Sequence, residues 1–534
     1  MTSLWQLTSP TIETDDWLEL KTRADVIVVG AGLTGLVTAV LLARSGLQVT
    51  VIEAHTVGGL TTGNTTGKLS LLQGSTFSEV KQYAGESALN AYCEANREGQ
   101  AWLLRQLEVY DSQVDRRPAF TYVAAQTGGT DRHLVTLDAE EQALGLAGIQ
   151  VERVAQVDEL PIPLVAALRL ADQAQLQPMR VLAGLARELR ERGGKIVEHT
   201  RAQGIETHRL EVNSCSVTVV TSRGLLHTER CVLATGFPIL DRGLFFAKLN
   251  ASRSYAIAFR LLESTTPRGM YVALDSDGHS LRSAWAPEGD EVLVVGGGSH
   301  ITGRSSHTSR KLDEIETWTR RHFGTVGLVA WWGAQDYSTH WKLPFAGSMP
   351  RSGDRLFTAS GYNKWGMTNA VAAGLTIAAD MLGGNLEWAK VLRSHALRLS
   401  AVKEAFGANA EVGRRLVGGW AQSEFIAADV AVAEQTLIEG QGVVAREGGR
   451  PVAISRVDDQ VCRLSAVCTH MGGIVRWNSA ERSWDCPLHA SRFSATGARL
   501  EGPAVRDLVP ADEGNGKGDD PDPVSGVPDP SPAS

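Results

Sequence analysis

Cysteine is scarce in this chain, with six among 534 residues, too few for the disulfide framework of a small secreted scaffold. Long apolar runs are scarcer. Residues 26–43, VIVVGAGLTGLVTAVLLA, form an uncharged stretch of membrane-spanning length, yet Gly30, Gly32 and Gly35 divide it into strand, turn and helix. No integral membrane segment is expected. The first 23 residues carry Glu13, Asp15, Asp16 and Glu19 and no apolar core, unlike a secretory signal, so a cytoplasmic location is expected. Basic runs are absent. The net charge of −8 falls to −3 once residues 511–534, with six acids and one Lys, are set aside, which excludes the clustered basic surface of a nucleic-acid binder.

The length implies several domains. Hydrophobic residues at 43% and charged residues at 21% are ordinary for globular protein, while 55 Gly exceed the usual ~7% and point to frequent tight turns. From Asp25, DVIVV reads as a buried strand, GAGLTG as a turn, LVTAVLLARSG as a helix and LQVTVIE as a second strand, a βαβ unit. A helix from Met179 to Arg192 and strands at KIVEHT and CVLATG extend the same α/β, Rossmann-like layer. SYAIAFRLLE, GMYVALD, LRSAWAP and DEVLVVGG predict an antiparallel sheet in a second part. The chain then returns through RLFTAS and the helix MTNAVAAGLTIAADML, making the first part discontinuous. We expect one unit over 24–390, a helical linker over 391–432 with helix from Arg393 to Ala405, a small all-β module over 433–510, and a disordered acidic tail over 511–534, too rich in Pro, Gly and Asp to offset chain entropy.

Gly30-Ala31-Gly32-Leu33-Thr34-Gly35 follows a strand, opens a helix and has Glu53 at the end of the next strand, the context a dinucleotide site requires. Gly30 permits the turn, Gly32 the approach of a pyrophosphate, Gly35 close helix–strand packing, and Glu53 accepts ribose hydroxyls. With the Gly/Thr-rich GGLTTGNTTGKLSLL, Ala234-Thr235-Gly236 and SGYNKWGMTN, the chain resembles the D-amino-acid oxidase and sarcosine oxidase-like (DAO) family of FAD-dependent oxidoreductases. The resemblance implies bound FAD and an antiparallel substrate domain. It places Gly30, Gly32, Gly35 and Glu53 at the ADP half, Gly236 near the cofactor, and Asn363, Trp365, Gly366 and Thr368 near the isoalloxazine. A helix start near Thr368 would favour negative charge on a reduced flavin. Sarcosine oxidase-like members place a Lys in this loop, where Thr368 is the matching position here, so fast direct oxidation by O2 is not implied. Position in the family offers Arg253, Tyr255 and Trp365 to the substrate, with Arg253 suited to a carboxylate, while core or surface packing is an equal reading for each.

Cys468-Thr469-His470 and Cys486-Pro487-Leu488-His489 lie in the small β module. A tetrahedral Cys2His2 zinc site has this ligand count, though its usual spacings differ. The pattern resembles the Rieske domain, which implies a 2Fe-2S cluster with Cys468 and Cys486 on one iron and His470 and His489 on the other. Gly472, Gly473 and Gly502-Pro503 would shape the surrounding loops. The resemblance also sets Gly473 and Leu488 where respiratory members carry a disulfide and Phe493 where they carry a Tyr, leaving Ser491 as a hydroxyl donor. Fewer donors to the sulfurs predict a potential in the lower half of about −150 to +300 mV. Cys93, Cys215, Cys231 and Cys462 share no spacing and read as structural, and Gly296-Gly297-Gly298 reads as a plain turn.

Together these features predict an enzyme in which a small substrate, an amine or amino acid by resemblance, reduces FAD and electrons leave singly through the cluster to an external acceptor. Two alternatives stand beside it. One is an NAD(P)H-dependent reductase feeding an oxygenase, disfavoured by the lack of a second complete nucleotide motif; the other is a redox sensor or electron-transfer module without turnover.

Overall fold

A computed structural model describes residues 2–511 apart from 21, 111–113, 126–129, 209–216, 241, 244, 262–265, 276–277, 306, 325 and 394–429. Cys215, the expected acidic tail from 512 onward and all but the first residue of the expected Arg393–Ala405 helix lie outside the described residues.

Val26, Ile27, Val28 and Val29 are all buried, as in a central strand covered on both faces. Their strand, Arg23–Val29, pairs in parallel with Val49–Ile52 on one side and with Gly224–Leu233 on the other. Lys195–Val197 and Leu356–Ser360 extend this parallel core, and an eight-stranded sheet results. The helix Leu33–Arg44 lies between the helices Pro178–Glu191 and Gly366–Leu382. It is apolar on nearly every side because it is buried on nearly every side. The chain returns to this sheet through Leu356–Ser360, which pairs in parallel with Gly224–Leu233.

A nine-stranded sheet forms the second part. The four expected strands are there as Leu249–Leu261, Met270–Ala273, Ser280–Trp285 and Glu291–Ile301. The sheet is mixed rather than purely antiparallel, since Met270–Ala273 pairs in parallel with Asp115–Ala124.

Two small antiparallel sheets make the C-terminal module: Gly442–Glu447, Arg450–Val457 and Gln460–Ser465, then Arg476–Asn478, Ser483–Asp485, Arg492–Ser494 and Arg499–Glu501. Trp484 and Phe493 are its largest fully buried side chains. The helix Val430–Thr436 crosses the expected boundary at 433, because Val430 and Ala433 pack against Val452 and Ile454 of the first small sheet.

The N-terminal residues also belong to the first part. Leu4 and Trp5 are buried in its core, Ser3 Oγ donates to Gly63 O (2.5 Å), and Trp5 Nε1 donates to Thr65 O (2.5 Å). Among the described residues no helix is long and apolar enough to cross a membrane.

At Gly35 a Cβ would stand 2.0 Å from Gly30 O, whereas at Gly145 it would meet nothing within 4 Å. Gly35→Ala should therefore lower thermal stability, by about 1–3 kcal/mol from overpacking. Gly145→Ala, inside the helix Thr130–Leu146, should raise stability by up to about 1 kcal/mol. Equal melting temperatures for the two variants would contradict this.

Candidate cofactor cavity and cluster site

Between the two large sheets runs a cavity of about 510 Å3. Gly30, Gly32 and Glu53 line one end, Gly236 borders it, and Asn363, Trp365 and Gly366 line it from the late loop. Gly30 has φ +107, and a Cβ there would lie 2.5 Å from Ala234 O. Glu53 stands at the end of the second parallel strand, where its carboxylate accepts the N–H groups of Ala31 and His55, each at 2.9 Å. Gly35 is not in the wall; its place is the close packing already described. A glycine-lined turn, an open helix start and an acid after the second strand together fit a dinucleotide.

Two expectations for the late loop need correction. The helix begins at Gly366 rather than near Thr368, with Trp365 as an N-cap that supplies no side-chain hydrogen bond. Gly366 and Met367 bring this start to the cavity, so its positive end faces the ligand space. Thr368 is buried behind the wall, accepting from Gln73 Nε2 (3.2 Å) and donating to Trp365 O (3.2 Å). The loop does carry a lysine. Lys364 lines the cavity, with Nζ donating to Ser299 Oγ (2.8 Å), and its left-handed backbone (φ +69) follows the left-handed Asn363 (φ +48).

Lys68 is a second cation that sequence reasoning passed over. Its Nζ lies 3.2 Å from Thr66 Oγ1 and 3.2 Å from Ser280 Oγ, and it too lines the cavity. Burial, then the nearby Arg282 charge, lowers its pKa to about 7. Burial also pushes the Lys364 ammonium down, against the opposing pull of Asp336. Both lysines sit in the Gly/Thr-rich and NKWG segments already singled out, but only the fold turns them toward one space.

Gly296, Gly297 and Gly298 are not a turn. They lie within the strand Glu291–Ile301, and the first two line the same cavity. The run most like a second nucleotide loop is thus part of the first site's floor.

At the C-terminal module, the Cys468 sulfur receives the Ser491 hydroxyl and the backbone N–H groups of His470 and Met471. Those of Leu488 and His489 point to the Cys486 sulfur. Such donors stabilise thiolates, the form that binds metal. The two sulfurs are in contact with each other, and the His470 and His489 rings stand 5.1 Å apart. His489 is buried, with neither ring nitrogen hydrogen-bonded. Burial, with His470 and Arg304 adding to it, lowers its pKa to about 4 and keeps the imidazole neutral. Among the described residues no three His, Cys, Asp or Glu side chains converge as a single metal ion requires. Paired sulfurs and paired imidazoles, with the His489 nitrogens left without a hydrogen bond, fit a two-iron cluster instead. Gly473 is needed for closeness here, since a Cβ would stand 2.7 Å from Leu488 and 3.1 Å from the Cys486 sulfur. Phe493 is core, beside Trp484.

Arg253 does not face the substrate space; this expectation is also corrected. A bulge between Arg253 and Tyr255 in the pairing with Glu291–Ile301 re-aims the strand, and both side chains reach the C-terminal module. Arg253 pairs with Glu481 and, at 3.0 Å, with Glu501. Arg492 pairs with Glu481 (2.6 Å), Glu501 (2.7 Å) and Asp485 (3.0 Å). Burial would raise the Glu481 pKa, but Arg253 and Arg492 hold it at about 2. Tyr255 is among the residues lining the cavity, and its hydroxyl lies 3.4 Å from Asn478 Oδ1.

Gln335 joins the two centres. Its Nε2 donates to the Tyr337 hydroxyl in the cavity wall (2.8 Å) and to Ala490 O (3.2 Å), one residue beyond His489. Gly303 lets the chains meet, because a Cβ there would lie 2.7 Å from the Cys486 carbonyl carbon.

Residues 25–380 match the family described as FAD dependent oxidoreductase, and residues 428–511 match the Rieske [2Fe-2S] domain. The chain is 29% identical over 505 residues to YhfW of Bacillus subtilis (strain 168), whose name describes a Rieske 2Fe-2S iron-sulfur protein. The match covers 93% of this chain and 94% of that relative. Among solved structures, glycine oxidase from Geobacillus kaustophilus aligns with a TM-score of 0.57 at 17% identity, covering 71% of this chain and 99% of that one. L-Amino acid deaminase from Proteus myxofaciens, in complex with anthranilate, aligns at 0.55 and 18% identity, covering 71% and 94%. At these identities the structural alignments speak for fold alone.

Removing Arg253 leaves buried carboxylates undercompensated, so Arg253→Ala should cost about 3–5 kcal/mol in thermal unfolding. A raised KM with unchanged melting temperature would return Arg253 to the substrate. Ser491→Ala removes one donor to a sulfur and should lower the cluster midpoint potential by about 60 mV, one decade of one-electron equilibrium; redox titration followed by EPR decides.

Proposed function

This chain belongs to the FAD dependent oxidoreductase family and carries a C-terminal Rieske [2Fe-2S] domain; from that premise we propose that it is a dehydrogenase of an amine or amino acid that delivers electrons through the cluster to an external one-electron acceptor. When bound, FAD accepts the two electrons of a substrate C–H bond and the cluster passes electrons onward singly.

The chain's own groups supply binding, orientation and exclusion of water. Gly30 and Gly32 bring backbone to the pyrophosphate, with Gly35 holding helix to strand behind them. Glu53 takes the ribose hydroxyls. Gly236, Asn363, Trp365 and Gly366 surround the isoalloxazine, with the helix start at Gly366 favouring negative charge there. Thr368 acts only by bracing this start through Trp365. Cys468 and Cys486 would hold one iron, His470 and His489 the other. Lys68 and Lys364 are the cations for an amino acid's carboxylate, and the cavity supports this by leaving two burial-weakened ammonium groups on its wall. A cytoplasmic setting accords with Cys93, Cys231 and Cys462 being unpaired thiols.

The observation that carries the relay is Gln335, whose single amide touches both the cavity wall and the cluster loop. The reductase alternative, already without a second complete nucleotide motif, gains none from Gly296–Gly298, which belong to a strand. A cavity of about 510 Å3 with Lys68 and Lys364 on its wall favours turnover over a passive sensor.

Anaerobic addition of an amino-acid panel, then of NADH and NADPH, tests the reading by following flavin absorbance and the reduced-cluster EPR signal together. An amino acid should bleach the flavin and the cluster signal should follow; bleaching by NADH or NADPH alone overturns the proposal. Lys68 loses its charge as pH rises through about 7, so kcat/KM should fall across that range. Lys68→Met should raise KM about tenfold, with kcat little changed.

A further inference from the structure

The end of the cavity at Glu53 is not closed by the flavin domain alone. Arg499, Leu500, Gly502 and Val505 of the Rieske module line it together with Glu53 and Arg201. We propose that residues 499–505 of the Rieske module are one wall of the FAD site and, with Arg201, hold the adenosine half of the dinucleotide. The proposal rests on the reading that Glu53 marks the ribose end of the cavity.

Three observations support it. The wall is fastened to the flavin domain at that end. His55, two residues beyond Glu53, has Nε2 2.9 Å from Leu500 O, and Arg201 Nη2 donates to Arg499 O (3.3 Å). Arg201 Nη2 also lies 2.9 Å from His55 Nε2. An Nε2 that donates to Leu500 O cannot also accept, so the Arg499 carbonyl is the partner for that guanidinium nitrogen.

The wall is also braced from within. Arg499 Nε donates to Asp507 (2.7 Å), Arg499 Nη1 donates to Val505 O, and Ala504 N–H donates to Ser491 Oγ (3.0 Å). These bonds close residues 499–507 into a turn that keeps its shape as a surface. The same Ser491 hydroxyl reaches the Cys468 sulfur, so the wall is tied to the cluster loop.

Finally, Arg201 lacks a counter-charge. Among the described residues no carboxylate lies within ion-pair distance of it, and burial followed by the Arg499 charge lowers its pKa while Glu53 and Asp507 act only at longer range. A planar, partly desolvated guanidinium on a cavity wall suits an aromatic ring face or a phosphate. The adenosine half of FAD offers an adenine ring beside the ribose that Glu53 would take.

FMN lacks the adenosine half and serves as the discriminating probe. Affinities for FAD and FMN are to be measured by flavin fluorescence on the flavin-free full-length chain with its cluster retained, the cluster EPR signal reporting that the Rieske module is intact. Val505→Trp, which fills the space beside the wall, should weaken FAD at least tenfold and leave FMN unchanged. Leu500→Trp makes the same test from a partly exposed position if Val505→Trp does not fold. Equal weakening of both flavins, or of neither, overturns the proposal. Glu53→Ala separates the two layers of the argument: if it lowers FAD against FMN while both tryptophan variants bind FAD normally, the wall is refuted and the ribose reading stands. If Glu53→Ala keeps the full preference for FAD, the ribose reading falls and the proposal with it.

Discussion

Two guanidiniums and three carboxylates meet where the Rieske module sits on the flavin domain, almost entirely out of water. Arg253 enters from the large mixed sheet, and Arg492, Glu481, Glu501 and Asp485 come from the module. Charges buried this deeply are tolerable only when every one is paired, and the pairing is specific in geometry. One relative placement of the two parts satisfies it. Gln335 can bridge Tyr337 and Ala490, and the segment after Arg499 can close the cavity, only in that placement. A registry role for a buried ionic cluster explains its position better than a stabilising one, since well-packed apolar residues would serve stability equally well.

The cavity and the cluster therefore share walls rather than merely a chain. The strand Leu249–Leu261 gives Arg253 to the interface and Tyr255 to both interface and cavity. The strand Val326–Thr339 gives Gln335 to the bridge and Tyr337 to the cavity wall. Close approach is set by residues that lack side chains: Gly303 beneath the Cys486–Pro487 backbone and Gly333 beside the Glu481 carboxylate. In the relay proposed above, such fixed contacts would hold the two centres in one arrangement.

Chemistry at the cluster follows from small local devices. Backbone N–H groups and one hydroxyl surround the sulfurs, and a buried imidazole with no protein partner stands ready as a ligand. At the cavity, the open start of the helix Gly366–Leu382 and two burial-weakened lysines supply positive potential without neighbouring acids consuming all of it. These are effects of desolvation, and desolvation is a property of the folded molecule.

By itself the sequence determined whatever depends on contiguous residues. The GAGLTG turn with Glu53, the two Cys/His pairs and the buried parallel strands were legible because local spacing sets backbone geometry and ligand reach. Tertiary structure decided whatever depends on residues distant in the chain. Arg253, expected at a substrate carboxylate, proved to be an interface cation, since its partners lie 228 and 248 residues away. Thr368, expected near the isoalloxazine, lies behind the wall because the first turn of the helix from Gly366 carries it there, while Lys364, to which no role was assigned, lines the cavity. Lys68 and the closing segment from Arg499 could not be read from spacing at all. A side chain's direction and its loss of water are set by packing, and no local pattern encodes which distant surface will cover it.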